Sequence, residues 1–388
     1  PARRANVALA AASVTVALYA AELGLALRAP VTVRLREKLA RLEELRRQGR
    51  APSPGVEPVR FVWAHEPGSP SWVLIDGAPV LPLGGISRRI TLDCKEAGDW
   101  LLFETDEHGF HNPSGAWSTP ALDLAFLGDS FVHGSCVPSE ANMVERVRRR
   151  HPATLNLGTA GGGPLIMLAQ LREYLPPLRP RTVLWCHFSG NDLLDLRRES
   201  DHPLLKRYLE EGHAQGLAAR QPALDRAMED YAQGTLLTAL ARRSRRRLDP
   251  GHVLLLRDLR SAAGLALAEP YQLSPTEEEY ALFARVLGEA RRTVEAWGGR
   301  LVFVYLPAWS EPPRQLGEAE YVRVKAGVAR RLRALVSELG LPVVDVEQAF
   351  AGHADPASLY ACPGCHYGPA GYELAARTVM AALEGGAR

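Results

Sequence analysis

Apolar residues in this chain cluster into short runs separated by polar stretches of helical period. Residues 122–126, 154–157, 182–188, 301–306 and 341–346 are dominated by apolar side chains and are of strand length, as expected for strands buried on both faces. Between them, residues 140–150, 165–174, 276–297 and 318–339 show the spacing of amphipathic helices. The third of these opens on Ser274-Pro275-Thr276-Glu277, which reads as a capping box with proline in the first turn, and it stops at Gly298-Gly299. Strands alternating with helices predict right-handed crossovers and a mostly parallel five-stranded sheet.

Four regions depart from this rhythm. Residues 5–27 are almost wholly apolar, with Glu22 the one charge, and follow Arg3 and Arg4. A helix of about 20 apolar residues crosses a bilayer, so residues 1–30 read as a transmembrane anchor. Positive charge before the span predicts a cytoplasmic N-terminus and a periplasmic or extracellular remainder. A cleaved signal is the rival, although its apolar region usually runs only about 7–15 residues. Residues 31–50 read as a charged helical stalk, with Leu35, Leu39, Leu42 and Leu45 at helical spacing. Residues 51–120 are rich in Pro, Gly and Trp and predict a small β- and loop-rich segment packed on the α/β domain. That domain takes residues 121–388, and a charged, largely helical insertion interrupts it at about 192–264. The insertion contains Arg242-Arg243-Ser244-Arg245-Arg246-Arg247, read as a solvated face, with contact to anionic lipid as the alternative.

Composition adds bounds. With 46 Lys and Arg against 44 Asp and Glu, nothing draws the 388-residue chain to nucleic acid. Five cysteines suit an oxidising compartment. Cys94 and Cys136, both in loop-like contexts, are expected to bridge, tying an upstream segment to the loop after Ser130. Cys186, inside an apolar run, reads as a buried free thiol. Cys362-Pro363-Gly364-Cys365 reads as a local disulfide or two thiols, because zinc would need two further ligands that no second motif supplies. No metal and no cofactor is expected.

Chemistry enters where the first strand ends. The run at 122–126 leads into Leu127-Gly128-Asp129-Ser130, placing a hydroxyl at the carboxyl end of a buried strand, where open α/β sheets collect reactive groups. The second strand ends in a Gly-rich turn, Gly158-Thr159-Ala160-Gly161-Gly162-Gly163, whose backbone N–H groups could face a developing oxyanion. It lacks the lysine of a phosphate-binding P-loop and the spacing of a dinucleotide site. The third strand ends in Ser189-Gly190-Asn191-Asp192, where Asn191 could add a side-chain amide. His366 stands just before a C-terminal helix and could serve as the base that a serine hydroxyl needs. His133, His187 and His353 are rival bases.

Taken in order, Gly128-Asp129-Ser130, Gly158, Asn191 and His366 resemble the four signature blocks of the SGNH/GDSL hydrolase superfamily. The stretches GDSFVHGSCV, LNLGTAGGGPLIMLAQLREYL, VLWCHFSGNDLLDLRRE and, upstream, DEHGFHNP are similar to a bacterial membrane-anchored subgroup. The resemblance spans about residues 120–385. It implies a flavodoxin-like three-layer αβα sandwich. It also implies serine ester hydrolysis, with Ser130 as nucleophile, His366 as base and Ser130 N–H, Gly158 and Asn191 as oxyanion donors.

Two positions depart from the pattern. The superfamily usually carries an Asp three residues before its His; here Pro363 stands there, leaving Asp345, Asp355 or no acid at all. Gly190 is adjacent to Asn191, where the family more often has one residue between. The expected substrate is an ester-bearing small molecule or an acylated cell-envelope polysaccharide, with the membrane as the other partner. O-acyl transfer by the same residues and a non-catalytic carbohydrate-binding protein are the alternatives.

Overall fold

A computed structural model describes residues 2–385 except 29, 64–69, 97, 246–249, 264, 266–273, 310–311 and 313–316. The chain divides into two compact units, Pro1–Arg50 with Tyr231–Tyr271, and Ala51–Asp230 with Gln272–Arg388.

The larger unit is built on five parallel strands, β5 (Leu124–Leu127), β6 (Thr154–Asn156), β7 (Thr182–Phe188), β8 (Arg300–Leu306) and β9 (Val343–Asp345). Their order across the sheet is β6-β5-β7-β8-β9, all pairs parallel. This is the flavodoxin-like order, and it reverses direction at β5. Alternate residues feed opposite faces, which is why the strands read as unbroken apolar runs. Leu124, Phe126, Leu184, Cys186, Val302, Val304 and Val344 join one cluster with the helices Met143–Arg148 and Pro369–Glu384. The other face is covered by Pro164–Tyr174 and Glu277–Glu295. Helix Glu277–Glu295 turns Tyr280, Phe283, Val286, Leu287, Ala290 and Val294 inward, a stripe at steps of three and four. Its capping box is formed by Thr276 and Glu279, two residues later than a cap on Ser274 would place it.

Upstream of the sheet lie two small antiparallel hairpins, β1 (Val73–Ile75) with β2 (Ala78–Val80), and β3 (Ile90–Leu92) with β4 (Leu102–Glu104). The DEHGFHNP stretch fixes this segment to the edge of the sheet. Asn112 accepts from Asn156 N–H at 2.8 Å and donates to Asn156 O at 2.8 Å, so a side-chain amide takes the place of a neighbouring strand on β6. Asp106 organises the turn, accepting from His108 N, Phe110 N, Asn112 Nδ2 and Trp117 Nε1.

The smaller unit is helical. One helix, Arg3–Leu27, is long and apolar enough to cross a membrane, and Val7, Leu9, Val14 and Val16 on it are exposed. Glu22 is buried because its carboxylate accepts the N–H groups of Asp258 (3.0 Å) and Leu259 (2.6 Å). The expected stalk, Pro30–Arg47, is not a solitary rod: it packs on Leu237–Arg245, with Leu42 and Leu45 buried. The insertion therefore splits near Tyr231, its first half belonging to the α/β unit and its second to the N-terminal helices. The side chains of the Arg242–Arg247 run lie outside the described residues.

Candidate active site

β5 and β7 are neighbours in register, Leu127 opposite Trp185, so the segments that follow them emerge side by side. Ser130 opens the short helix Ser130–His133, capped by Asp129, whose Oδ1 accepts Phe131 N–H at 2.9 Å. The Asp of the Gly-Asp-Ser block is thus a backbone cap, fully buried, with its pKa pushed well above the usual carboxylate range by burial and by nearby Asp192. Gly128 is required by space, since a Cβ there would lie 2.3 Å from Val132 Cγ2.

The structure brings His366 to Ser130. Nε2 lies 2.9 Å from Ser130 Oγ. On the other side of the ring, Nδ1 lies 2.8 Å from Glu96 Oε1, while the His366 backbone N–H donates to Glu96 Oε2 at 2.8 Å. Glu96 therefore grips both the ring and the backbone of the histidine, fixing its tautomer and its plane. Burial disfavours charge on His366, but the hydrogen bond and charge of Glu96, with Asp129 and Asp93 adding to them, outweigh it and raise the imidazole above its ordinary value.

The carboxylate at His366 is therefore neither of the sequence candidates. Asp345 ends β9, pairs with Arg333 Nε at 2.9 Å and caps the next helix. Asp355 lies in an exposed turn, where its carbonyl faces His353 Nδ1 at 2.8 Å. Pro363 belongs to the tight loop before His366, and Gly364 N–H in that loop donates to Trp309 O at 2.7 Å. The rival bases are placed elsewhere. His133 is buried beside Ser135 at 3.1 Å, and His187 sits in β7 with its basicity driven down to about 3 by burial. His353 is exposed beside Asp355.

The Gly-rich turn corrects a second expectation. Gly158 is buried and its N–H donates to Asn156 Oδ1 at 2.8 Å. Thr159 N–H goes to Gly128 O, Gly162 N–H to Thr159 O, and Gly163 and Leu165 N–H to the Glu199 carboxylate. Among the described residues, Ala160 and Gly161 keep N–H groups with no protein acceptor, and both are part-exposed. Gly158 serves packing instead: a Cβ there would sit 2.3 Å from His133 N, in the backbone of the Ser130–His133 helix. Gly158→Ala is expected to destabilise the fold by about 1–3 kcal/mol or more, as overpacking does. Denaturant unfolding measures it, and an unchanged midpoint would contradict the packing role.

Asn191 ends the loop after β7, and its Nδ2 donates to Asp195 Oδ2, which holds the amide in one orientation. Burial, then Asp192, raises Asp195 to about 7. The adjacent Gly190 has its own cause: a Cβ there would meet the Phe188 ring at 2.3 Å. Phe188 in turn stacks on Phe131 at 3.7 Å, and Phe131 lies 4.9 Å from the His366 ring.

The cysteines pair as 94–136 and 362–365, with Cα separations of 5.1 and 5.0 Å, and Cys186 is a buried thiol. Among the described residues, two groups each present three possible metal donors within 4.8 Å of one another, namely Glu96-Cys136-His366 and Glu22-His252-Asp258. In the first, Cys136 is bonded to Cys94 and Glu96 to His366, so those donors are already engaged.

A family model, described as GDSL-like lipase/acylhydrolase, matches residues 126–374. The chain belongs to that family. Solved structures similar to it include a lipase/acylhydrolase from Enterococcus faecalis, 14% identical over 68% of this chain and 96% of that one, with a TM-score of 0.38. Another is the acetyl xylan esterase AlAXEase, 9% identical over 68% and 100%, TM-score 0.38. A catalytic mutant of an acetylxylan esterase from Geobacillus stearothermophilus is 14% identical over 68% and 95%, TM-score 0.36. Among proteins of curated function, none matches the chain in sequence. Glu96 lies outside the matched region, 30 residues before it begins. Sequence reasoning missed Glu96. The available signal was its neighbour Cys94, whose expected bridge to Cys136 brings that loop to the serine.

Proposed function

We propose that this protein is an extracytoplasmic serine esterase in which Ser130 is the nucleophile, His366 the general base and Glu96 the acid that orients it. The observation that carries this reading is the continuous chain from Ser130 Oγ to His366 Nε2 at 2.9 Å and from His366 Nδ1 to Glu96 at 2.8 Å. A serine hydroxyl needs such a base to become a nucleophile at neutral pH.

His366 takes the Ser130 proton as Oγ attacks the ester carbonyl. The tetrahedral oxyanion is held by Ser130 N–H, by the Asn191 amide and by the unpaired N–H groups of Ala160 and Gly161 in place of Gly158. Collapse returns the proton through His366 to the departing alkoxide. Water, or a sugar hydroxyl in the transferase alternative, then gives its proton to His366 as its oxygen attacks the acyl carbonyl; the bond to Oγ breaks and His366 returns the proton to Ser130. An apolar helix behind Arg3 and Arg4 supports anchoring in the membrane with the site outside the cytoplasm. That location favours acyl groups, such as acetyl, on a cell-envelope polysaccharide. The assembled Ser130, His366 and Glu96 weigh against the non-catalytic alternative.

The test is hydrolysis of a chromogenic acetyl ester by the purified chain. Asn191→Ala is expected to remove about 2.7–4 kcal/mol of transition-state stabilisation, seen as a 10²–10³-fold fall in kcat. Unchanged kcat would remove Asn191 from the oxyanion site.

A further inference from the structure

Resting on that reading of the site, we propose that the Cys94–Cys136 disulfide is the positioning element that lets a carboxylate from outside the hydrolase core serve His366. When an acid lies on the same turn as its histidine, local backbone sets their geometry. Here Glu96 and His366 are 270 residues apart in sequence. The β3–β4 ladder carries the chain toward the site but ends short of Glu96: Asp93 N–H donates to Leu101 O, and Leu101 N–H to Cys94 O. Glu96 stands two residues beyond this last closed pair.

The bridge acts at that point. Cys94 accepts the ladder bond from Leu101 N–H, and Cys136 lies six residues after Ser130, with its Sγ 3.5 Å from His366 Nδ1. The covalent link joins the acid's loop to the nucleophile's loop and packs against the imidazole that both must meet. Cys136 is held at φ 65°, a left-handed conformation that a non-glycine residue keeps only when its surroundings over-determine it.

The experiment is a double-mutant cycle on the full chain with the chromogenic ester. Cys94→Ala/Cys136→Ala is expected to lower kcat about 10–100-fold, the scale known for loss of partners that orient metal-ligating histidines. KM should stay near the wild-type value, and the acid limb of the pH–rate profile should move down, as it does when Glu96 loses its hold on His366. Adding Glu96→Gln to this background should then cost far less than in the bridged protein, because both changes act through one contact. Equal cost in both backgrounds, or full turnover without the bridge, would overturn the proposal. Should the double variant fail to fold, the folded wild-type protein is treated with a phosphine reductant under native conditions. Bridge opening is followed by thiol alkylation and folding by circular dichroism. Loss of kcat that tracks opening of Cys94–Cys136 and returns on reoxidation supports the proposal; retained kcat with that bridge open overturns it. Failure of the esterase reading is distinct, because it appears as turnover that survives loss of Ser130.

Discussion

Ser130→Ala is expected to lower turnover of a chromogenic acetyl ester by on the order of 10⁶-fold, the scale found when the nucleophile of a serine hydrolase is removed. The geometry leaves no substitute: Ser130 Oγ is the hydroxyl 2.9 Å from His366 Nε2, while Ser135 lies against His133. Substrate binding should persist, since the N–H groups of the turn and the Asn191 amide remain. The fold should persist too, because Ser130 is part-exposed and its helix is capped by Asp129 rather than by its own side chain. Unaltered turnover would remove the serine from the chemistry.

Glu96→Gln has the next largest expected effect, a fall in kcat of roughly 10³–10⁴-fold. A glutamine amide keeps the size of the side chain but can donate to Nδ1, which favours the tautomer that carries its proton on Nε2 and cannot accept from Ser130. The charge is lost as well, and this sets the pH response. His366 must be neutral to act as base, and in the wild-type protein its raised pKa places the acid limb of the rate profile above the ordinary histidine value. Without the Glu96 charge, burial is the largest remaining influence and acts downward, so the acid limb moves to lower pH. Asp345→Asn and Asp355→Asn should leave both kcat and the acid limb in place. A large loss in either, with Glu96→Gln active, would return the role to the C-terminal candidates.

The fold was legible because its signals are local. Strands buried on both faces must be apolar at every position, and β5 to β9 fall within or one residue beyond the runs at 122–126, 154–157, 182–188, 301–306 and 341–346. The serine and the histidine were legible for a related reason, since each sits where a strand or loop hands over to a helix. The acid was not. A glutamate two residues past a cysteine has no pattern of its own, and its contact with His366 exists only because the chain folds across a sequence separation of 270.

The oxyanion turn failed differently. Sequence shows a run of glycines with exposed N–H groups, but which of them stay unpaired depends on tertiary acceptors, here Asn156, Gly128 and Glu199. The insertion behaved in the same way. Helical period marks a helix but does not name the surface it packs on, and Leu237–Arg245 joins the N-terminal helices rather than the hydrolase core.

The central claim is that Ser130 is a nucleophile activated by His366 through Glu96. Labelling with a fluorophosphonate, read by mass spectrometry of the intact chain and its peptides, tests it most directly. The account predicts one stoichiometric adduct on Ser130, lost in Ser130→Ala and strongly slowed in both His366→Ala and Glu96→Gln. An unlabelled wild-type protein, or an adduct formed at the same rate without Glu96, would contradict it.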